Sequence, residues 1–156
     1  MLRIKIKSAS DAHILLSNCK NCDGYEIVIG GWQNTQSVIR EKKQTPAEGN
    51  TKQQVKRHVL LTININPPFK LLQTKSILSA VEFREFWIRT GNVDGKKRQR
   101  VIQVGKAGEA TPFMQHRYPF KHKISHIGIA TWGKNTLHYE ILNGDIPRFL
   151  SAKLAL

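Results

Sequence analysis

Residues 25–40 read Tyr-Glu-Ile-Val-Ile-Gly-Gly-Trp-Gln-Asn-Thr-Gln-Ser-Val-Ile-Arg, and this stretch contains a complete β-hairpin. Its first arm places Tyr25, Ile27 and Ile29 at every second position, which is the pattern of a strand. The Gly-Gly pair opens backbone conformations that other residues avoid, residues 32–35 make the bend, and residues 37–40 return. One loop therefore gathers a tryptophan and three side chains that can form hydrogen bonds, which predicts a binding edge.

The N-terminal residues 2–7 alternate basic and apolar side chains, which predicts a half-buried strand at the edge of a sheet. In residues 81–89 the apolar positions break simple alternation, so we expect a β-bulge near Glu85. The remaining strand-like runs are residues 12–17, 58–66, 101–105, 124–132 and 137–142.

These runs are separated by turn signals, and no amphipathic helix longer than ten residues interrupts them. The pattern predicts an all-β fold, an antiparallel β-sandwich that is jelly-roll-like and has few or no helices. A chain of 156 residues suits a single domain, residues 1–156. No apolar run approaches the roughly 20 residues of a membrane helix, and no signal peptide is visible at the N-terminus.

Lysine and arginine number 25 against 11 acidic residues, a formal charge of +14. Such a charge attracts polyanions, and the binding is expected to weaken with salt. Acidic glycans, nucleic acid and anionic membranes all qualify as partners, and a merely soluble basic surface is the alternative. The basic segments 42–57, 96–100 and 117–123 would form one electropositive face if their loops share one end of the sandwich. Nucleic acid is the less favoured partner because no nucleic-acid-binding signature occurs.

The two cysteines, Cys19 and Cys22, have the Cys-x-x-Cys spacing. They lie in a polar loop rather than at a helix start, which argues against thioredoxin-like chemistry, and a zinc site would need two more ligands. A loop disulfide, an intermolecular link and two free thiols all remain open.

Catalytic machinery is not visible in the sequence. There is no Gly-x-Ser-x-Gly motif, the carboxylates are dispersed, and the six histidines lack the spacing of a metal site. We therefore predict no catalytic residue and no metal ligand.

Three blocks resemble the farnesoic acid O-methyltransferase-like domain family: residues 25–40, residues 82–88 with 102–105, and residues 127–133. The resemblance extends over residues 1 to about 142 and leaves residues 143–156 as a tail. It implies a β-sandwich module of the kind often attached to extracellular or recognition proteins. Localisation is otherwise unknown.

The family name also implies S-adenosylmethionine-dependent methyl transfer. That cofactor is usually held by a glycine-rich turn between a strand and a helix, with an acidic residue about 20 positions further on. Residues 105–108 follow a strand, but no helix pattern comes after them. We therefore expect no cofactor and no enzymatic activity, with small-molecule O-methyl transfer as the alternative.

Each of the three tryptophans, Trp32, Trp87 and Trp132, lies in one of the matched blocks. An exposed indole can stack on a sugar ring while amides and arginines bind its hydroxyls, and packing in the core or at a sheet edge is the alternative for each tryptophan. Polar side chains near Trp32 can equally satisfy the turn backbone, and Arg40 can pair with Glu26 across the hairpin.

These residues indicate a carbohydrate-binding, lectin-like function with a preference for acidic or sulfated glycans. Weak sites of this kind gain avidity from multiplicity, so we also expect a homo-oligomer. The candidate ligand-binding residues are Trp32, Asn34, Thr35, Arg40, Trp87 and Arg89.

Overall fold

Two antiparallel five-stranded sheets form a β-sandwich, which confirms the predicted fold class. The computed structural model describes residues 1–19, 22–43, 71–93, 96–119 and 124–142, with the backbone alone for residues 96–98. Within them lie β1 (Leu2–Lys7), β2 (Ala12–Ser17), β3 (Gly24–Gly30), a single turn α1 (Gly31–Asn34), β4 (Gln36–Lys42), β5 (Leu72–Gln73), β6 (Arg84–Val93), β7 (Lys96–Lys106), β8 (Met114–Pro119), β9 (His126–Thr131) and β10 (His138–Leu142).

The first sheet has the order β10-β1-β6-β7-β8, and the second sheet has the order β5-β4-β3-β2-β9. Each sheet contains a meander of strands that are consecutive in the chain, β6-β7-β8 in the first sheet and β2-β3-β4-β5 in the second. In the described residues, no helix has the length and apolarity that a membrane crossing requires.

The core lies between the sheets and is built from the alternate positions of each strand. Ile4 and Ile6 of β1 are fully buried, as is Phe86 of β6. From the second sheet, Ile27 of β3 lies opposite Ile39 of β4. The period-two pattern of the sequence therefore identifies the buried face correctly.

The expectation that β1 is an edge strand is wrong. It pairs with β10 on one side and with β6 on the other. Its basic side chains are tolerated there because they point away from the core, where Arg3 donates to Glu85 and Lys5 lies 3.4 Å from Glu140. Alternation of basic and apolar residues indicates only that one face of the strand is solvated. A central strand of an antiparallel sandwich also has one solvated face, so the pattern does not identify an edge strand.

The bulge expected near Glu85 is also absent. β6 pairs regularly with β7 from Phe86 onward, and the register shifts only between Asn92 and Val93. The basic residues 96–100 belong to β7 itself. The predicted strand at residues 58–66, most of the basic segment 42–57 and the tail from 143 lie outside the described residues.

Five connections meet at one end of the sandwich, which we call the loop end: residues 8–11, 31–35, 74–83, 107–113 and 132–137. The pairing shows this, because Ala12 at the start of β2 lies opposite Ile29 near the end of β3 and Thr131 at the end of β9. Cys19 and Cys22 lie at the opposite end, where they form a disulfide with a Cα–Cα distance of 5.3 Å. The loop-disulfide alternative is thus the correct one.

Candidate functional site

Trp32 lies on a left-handed turn at the loop end. The φ angles of Trp32, Gln33 and Asn34 are 50°, 58° and 62°, and Gly30 leads into the turn with a φ of 61°. An L-residue in this region costs about 1–2 kcal/mol, so the surrounding contacts must hold the turn in place. The result is an indole that is 47% exposed.

The side chain of Asn34 ties this turn to the connection between β5 and β6. Its Nδ2 donates to the carbonyl of Leu78 at 2.9 Å, and its Oδ1 accepts from the Leu78 N–H at 3.0 Å. The Ser76 N–H donates to the Asn34 carbonyl at 2.8 Å. Within the turn, Thr35 Oγ1 donates to the Trp32 carbonyl at 2.6 Å. Asn34 and Thr35 therefore position Trp32, as the turn-satisfying alternative requires.

We expect Asn34→Ala to lower the free energy of unfolding by about 2 kcal/mol, since two hydrogen bonds are lost and alanine disfavours a positive φ. Asn34→Gly removes the same hydrogen bonds, but glycine adopts a positive φ without strain. The decrease in the free energy of unfolding should therefore be smaller by about 1 kcal/mol. Urea unfolding measures both variants. Equal losses would show that the left-handed backbone is not under strain.

A cavity of about 590 Å³ opens at the same end, between β5 with the residues that follow it (72–77) on one side and residues 83–86 and 106–113 on the other. We call it the loop-end cleft. Aromatic and aliphatic side chains meet hydroxyl, amide and charged groups along its wall: Gln73, Thr74, Lys75, Ser76, Phe83 and Phe113. A cavity of this size suits a small polar ligand.

The charges of the cleft are unevenly compensated. Glu85 is bound by Arg3, and Glu109 lies 3.7 Å from Lys106. Lys75 makes no ion pair with another described residue, and its side chain is exposed. The cleft therefore retains one cation that is open to an anionic ligand.

Trp132 is a second exposed indole at the loop end, with 61% of its surface accessible. Asn135 fixes its loop by donating to the Trp132 carbonyl at 3.1 Å and to Asp11 Oδ2 at 3.3 Å. The Asp11 N–H in turn donates to the Gly30 carbonyl at 2.8 Å, so the loop of residues 8–11 connects the two tryptophan-bearing loops. The packing alternative is therefore wrong for Trp132.

Sequence reasoning did not select Lys75, Val81 or Phe83. Val81 is 87% exposed and Phe83 is 39% exposed, both in the connection that Asn34 holds. Apolar residues in a turn-rich segment were the only available signal, and the same residues equally fit the start of a strand.

Trp87 and Arg89 lie elsewhere, on the outer face of the first sheet. The indole of Trp87 is 8% exposed, packs flat against Gly105, and donates from Nε1 to the Glu109 carbonyl at 2.9 Å. The Arg89 guanidinium lies 5.5 Å from its ring centroid. The alternative that Trp87 is a packing residue is thus correct. Arg89, in contrast, is exposed.

Arg40 lies on the outer face of the second sheet, where it pairs with Glu26 at 2.6 Å as the cross-strand alternative predicts. His13 Nδ1 approaches the other oxygen of Glu26 at 3.0 Å. Burial disfavours the charged carboxylate, but the hydrogen bond from His13 and the charge of Arg40 outweigh it and lower the pKa of Glu26 to about 2. The six candidate residues therefore occupy three separate places, and only Trp32, Asn34 and Thr35 reach the loop end.

Among the described residues, no cluster of three or more histidine, cysteine or acidic side chains is arranged to hold a metal ion. Comparison with protein families finds a match to the family described as farnesoic acid O-methyltransferase over residues 1–144. Comparisons with curated proteins and with solved structures find no match. The family match spans all ten described strands and the whole loop end. The chain therefore belongs to the farnesoic acid O-methyltransferase family.

Proposed function

We propose that this domain is a non-enzymatic, lectin-like module that binds carbohydrate at the loop end. The single observation that carries the proposal is Trp32, an indole that is 47% exposed on a left-handed turn held by the Asn34–Leu78 hydrogen bonds. Because the backbone that carries the indole is held in this way, less conformational entropy is lost when the ring stacks on the apolar face of a sugar.

The loop-end cleft supports the same function. The segment of residues 74–76 both lines the cleft and is hydrogen-bonded to the Trp32 turn, through Thr74 N–H to the Thr35 carbonyl at 2.8 Å. Hydroxyl and amide groups there match sugar hydroxyls, and Lys75 supports a preference for a sugar that carries a carboxylate or sulfate.

A glycan array with Trp32→Ala tests this function. We expect Trp32→Ala to weaken binding at least about tenfold, because the loss of the stacking surface removes roughly 1.4 kcal/mol or more. Trp132→Ala is the matched control, since it removes another exposed indole from a different loop, and we expect a change in affinity below about twofold. Lys75→Gln should weaken the binding of acidic glycans and leave the binding of neutral glycans unchanged.

Wild-type protein that binds no glycan above background contradicts the proposal. Equal losses of glycan affinity for Trp32→Ala and Trp132→Ala would show that the binding site is not centred on the Trp32 turn.

Methyl transfer is the alternative that the family description raises. Calorimetric titration with S-adenosylmethionine distinguishes the two functions: binding heat followed by methylation of an acid substrate would overturn the non-enzymatic proposal. Light scattering tests the proposed oligomer, whose several weak sites would add avidity.

Charge-driven binding of any polyanion is a second candidate. Strands β4 and β8 end, and strand β7 begins, at the end of the sandwich opposite the loop end, so the chain enters its basic segments there. If charge alone drives binding, heparin and DNA should bind with similar affinity, and both affinities should fall steeply as the salt concentration rises.

A further inference from the structure

The outer face of the first sheet carries a row of polar side chains that no part of the loop end uses. Arg89 of β6, Gln103 of β7 and Gln115 of β8 lie directly opposite one another in register. Arg89 Nε donates to Gln103 Oε1 at 3.1 Å, and Gln103 Nε2 donates to Gln115 Oε1 at 3.4 Å. Arg117 follows two residues further along β8, on the same face. We call these four residues the arginine patch.

Arg89 is pre-organised for an anion. Its guanidinium lies 5.5 Å from the centroid of the Trp87 ring, and Trp87 is itself held by Glu109 and by close packing on Gly105. Only Nε is used in a hydrogen bond to a described residue, which leaves the two terminal nitrogens available. A guanidinium held on an aromatic ring loses less freedom when it forms a bidentate pair with an oxyanion.

The patch has no anion of its own. Arg117 is exposed and makes no hydrogen bond or ion pair with another described residue. On this face, the described positions of β7 and β8 are Gln, Val, Gly, Arg and Pro, none of them acidic. The nearest carboxylate on β6 is Glu85, which Arg3 already neutralises. Both guanidiniums therefore remain uncompensated.

A notch at Gly91 lies beside Arg89, two residues further along β6. Gly91 lies opposite Val101, which lies opposite Arg117, and a side chain at Gly91 would meet nothing within 4 Å. From strand spacing and rise, the Cα atoms of Arg89 and Arg117 are roughly 12 Å apart. The patch thus offers two anion-binding groups, two amides and open space beside Arg89.

We propose that the arginine patch binds the sulfate or carboxylate groups of a linear acidic polysaccharide. Guanidiniums match the anions and the glutamines match the hydroxyls of such a chain. Single-stranded nucleic acid is disfavoured because it needs exposed rings for base stacking, and the aromatic ring beneath Arg89, that of Trp87, is 8% exposed. The patch deepens the acidic-glycan preference of the proposed function, on which its ligand class rests.

The test compares two double variants that each remove two positive charges. Arg89→Gln/Arg117→Gln alters the patch, and Lys43→Gln/Lys134→Gln removes two exposed charges outside it. Isothermal titration with a size-defined heparin oligosaccharide is expected to show at least a tenfold loss of affinity for the patch variant and less than a twofold loss for the control. Thermal melts confirm that both variants fold.

Gly91→Glu provides an independent variant, because Gly91 has no positive φ and a side chain fits without a clash. It places a carboxylate in the notch and is expected to weaken heparin binding at least tenfold, while Gly91→Gln changes it less. Equal losses in the two double variants would overturn the proposal in favour of net charge. A single-stranded DNA of equal charge that binds as tightly as heparin, and depends on the same arginines, would overturn the ligand class.

The loop-end function can fail separately. If Trp32→Ala leaves neutral-glycan binding intact but the patch variant loses heparin, the patch proposal stands and the Trp32 site does not. If Trp32→Ala abolishes glycan binding and the patch variant behaves like its control, the reverse holds.

Discussion

Glu26→Gln is expected to lower the free energy of unfolding by about 3 kcal/mol at pH 7. The carboxylate lies between Arg40 at 2.6 Å and His13 at 3.0 Å, and the three side chains are 11%, 13% and 15% exposed, respectively. Glutamine keeps the shape but leaves the Arg40 guanidinium without a counter-charge in a poorly solvated place. Removing one partner of a buried pair typically costs about 3–5 kcal/mol. Urea unfolding followed by tryptophan fluorescence measures the loss.

The same carboxylate makes stability depend on acid. The pKa of Glu26 falls from its ordinary value of 4.5 to about 2 in the folded protein. Because the folded pKa is the lower one, the charged form stabilises the fold above pH 4.5, and this contribution is lost as the pH falls from 4.5 to about 2. Glu26→Gln should lack that part of the acid sensitivity, so the difference between the two proteins should shrink in this window.

Glu85→Gln is the matched control. It removes a carboxylate from another cross-strand pair, with Arg3, in which the side chains are 21% and 47% exposed. A pair of this exposure contributes at most about 1 kcal/mol. If the two variants lose equal stability, or if Glu26→Gln keeps the acid sensitivity of the wild type, the His13–Glu26–Arg40 network does not stabilise the fold.

Gly105→Ala is expected to lower the free energy of unfolding by about 3 kcal/mol, the second large effect. A Cβ at Gly105 would overlap the indole of Trp87, which lies flat across this position of β7. The indole must then move, which strains the packing by about 1–3 kcal/mol and weakens its hydrogen bond to the Glu109 carbonyl, a further 1 kcal/mol or so.

Gly91→Ala separates this clash from the general effect of replacing a strand glycine. Gly91 lies in the neighbouring strand β6, and a Cβ there meets nothing within 4 Å. We expect no loss, or a gain of up to about 1 kcal/mol from the lower entropy of the unfolded chain. Thermal unfolding of both variants is the measurement. A Gly105→Ala protein as stable as Gly91→Ala would show that the indole has room to move.

The strands were readable from sequence because their signal is local. Residues 12–17 are β2 at both boundaries, and the arms and bend of the hairpin at residues 25–40 are placed correctly. In each case apolar residues at every second position suffice, since one face of an antiparallel sheet is buried and the other is solvated. The central position of β1 was not readable, because its neighbours β6 and β10 are far away in the chain.

The candidate site shows the same division. The exposure of Trp32 was predictable because the turn that carries it is specified by adjacent residues, beginning with the glycine pair. The tryptophans Trp87 and Trp132 both lie in strand-like runs of the sequence, yet one is 8% and the other 61% exposed. The difference arises from Gly105 and the Glu109 carbonyl, which cover Trp87 from another strand and its following loop.

By itself, the sequence determined the all-β class, most of the described strands and the turn that presents Trp32, because each depends on residues that are close together in the chain. Only the tertiary structure decided which strands are neighbours, where the loop-end cleft opens, and which arginines stay free: Arg40 is neutralised by Glu26, whereas Arg89 and Arg117 are not. These features depend on residues brought together across strands by packing and hydrogen bonding, and no local pattern records those distances.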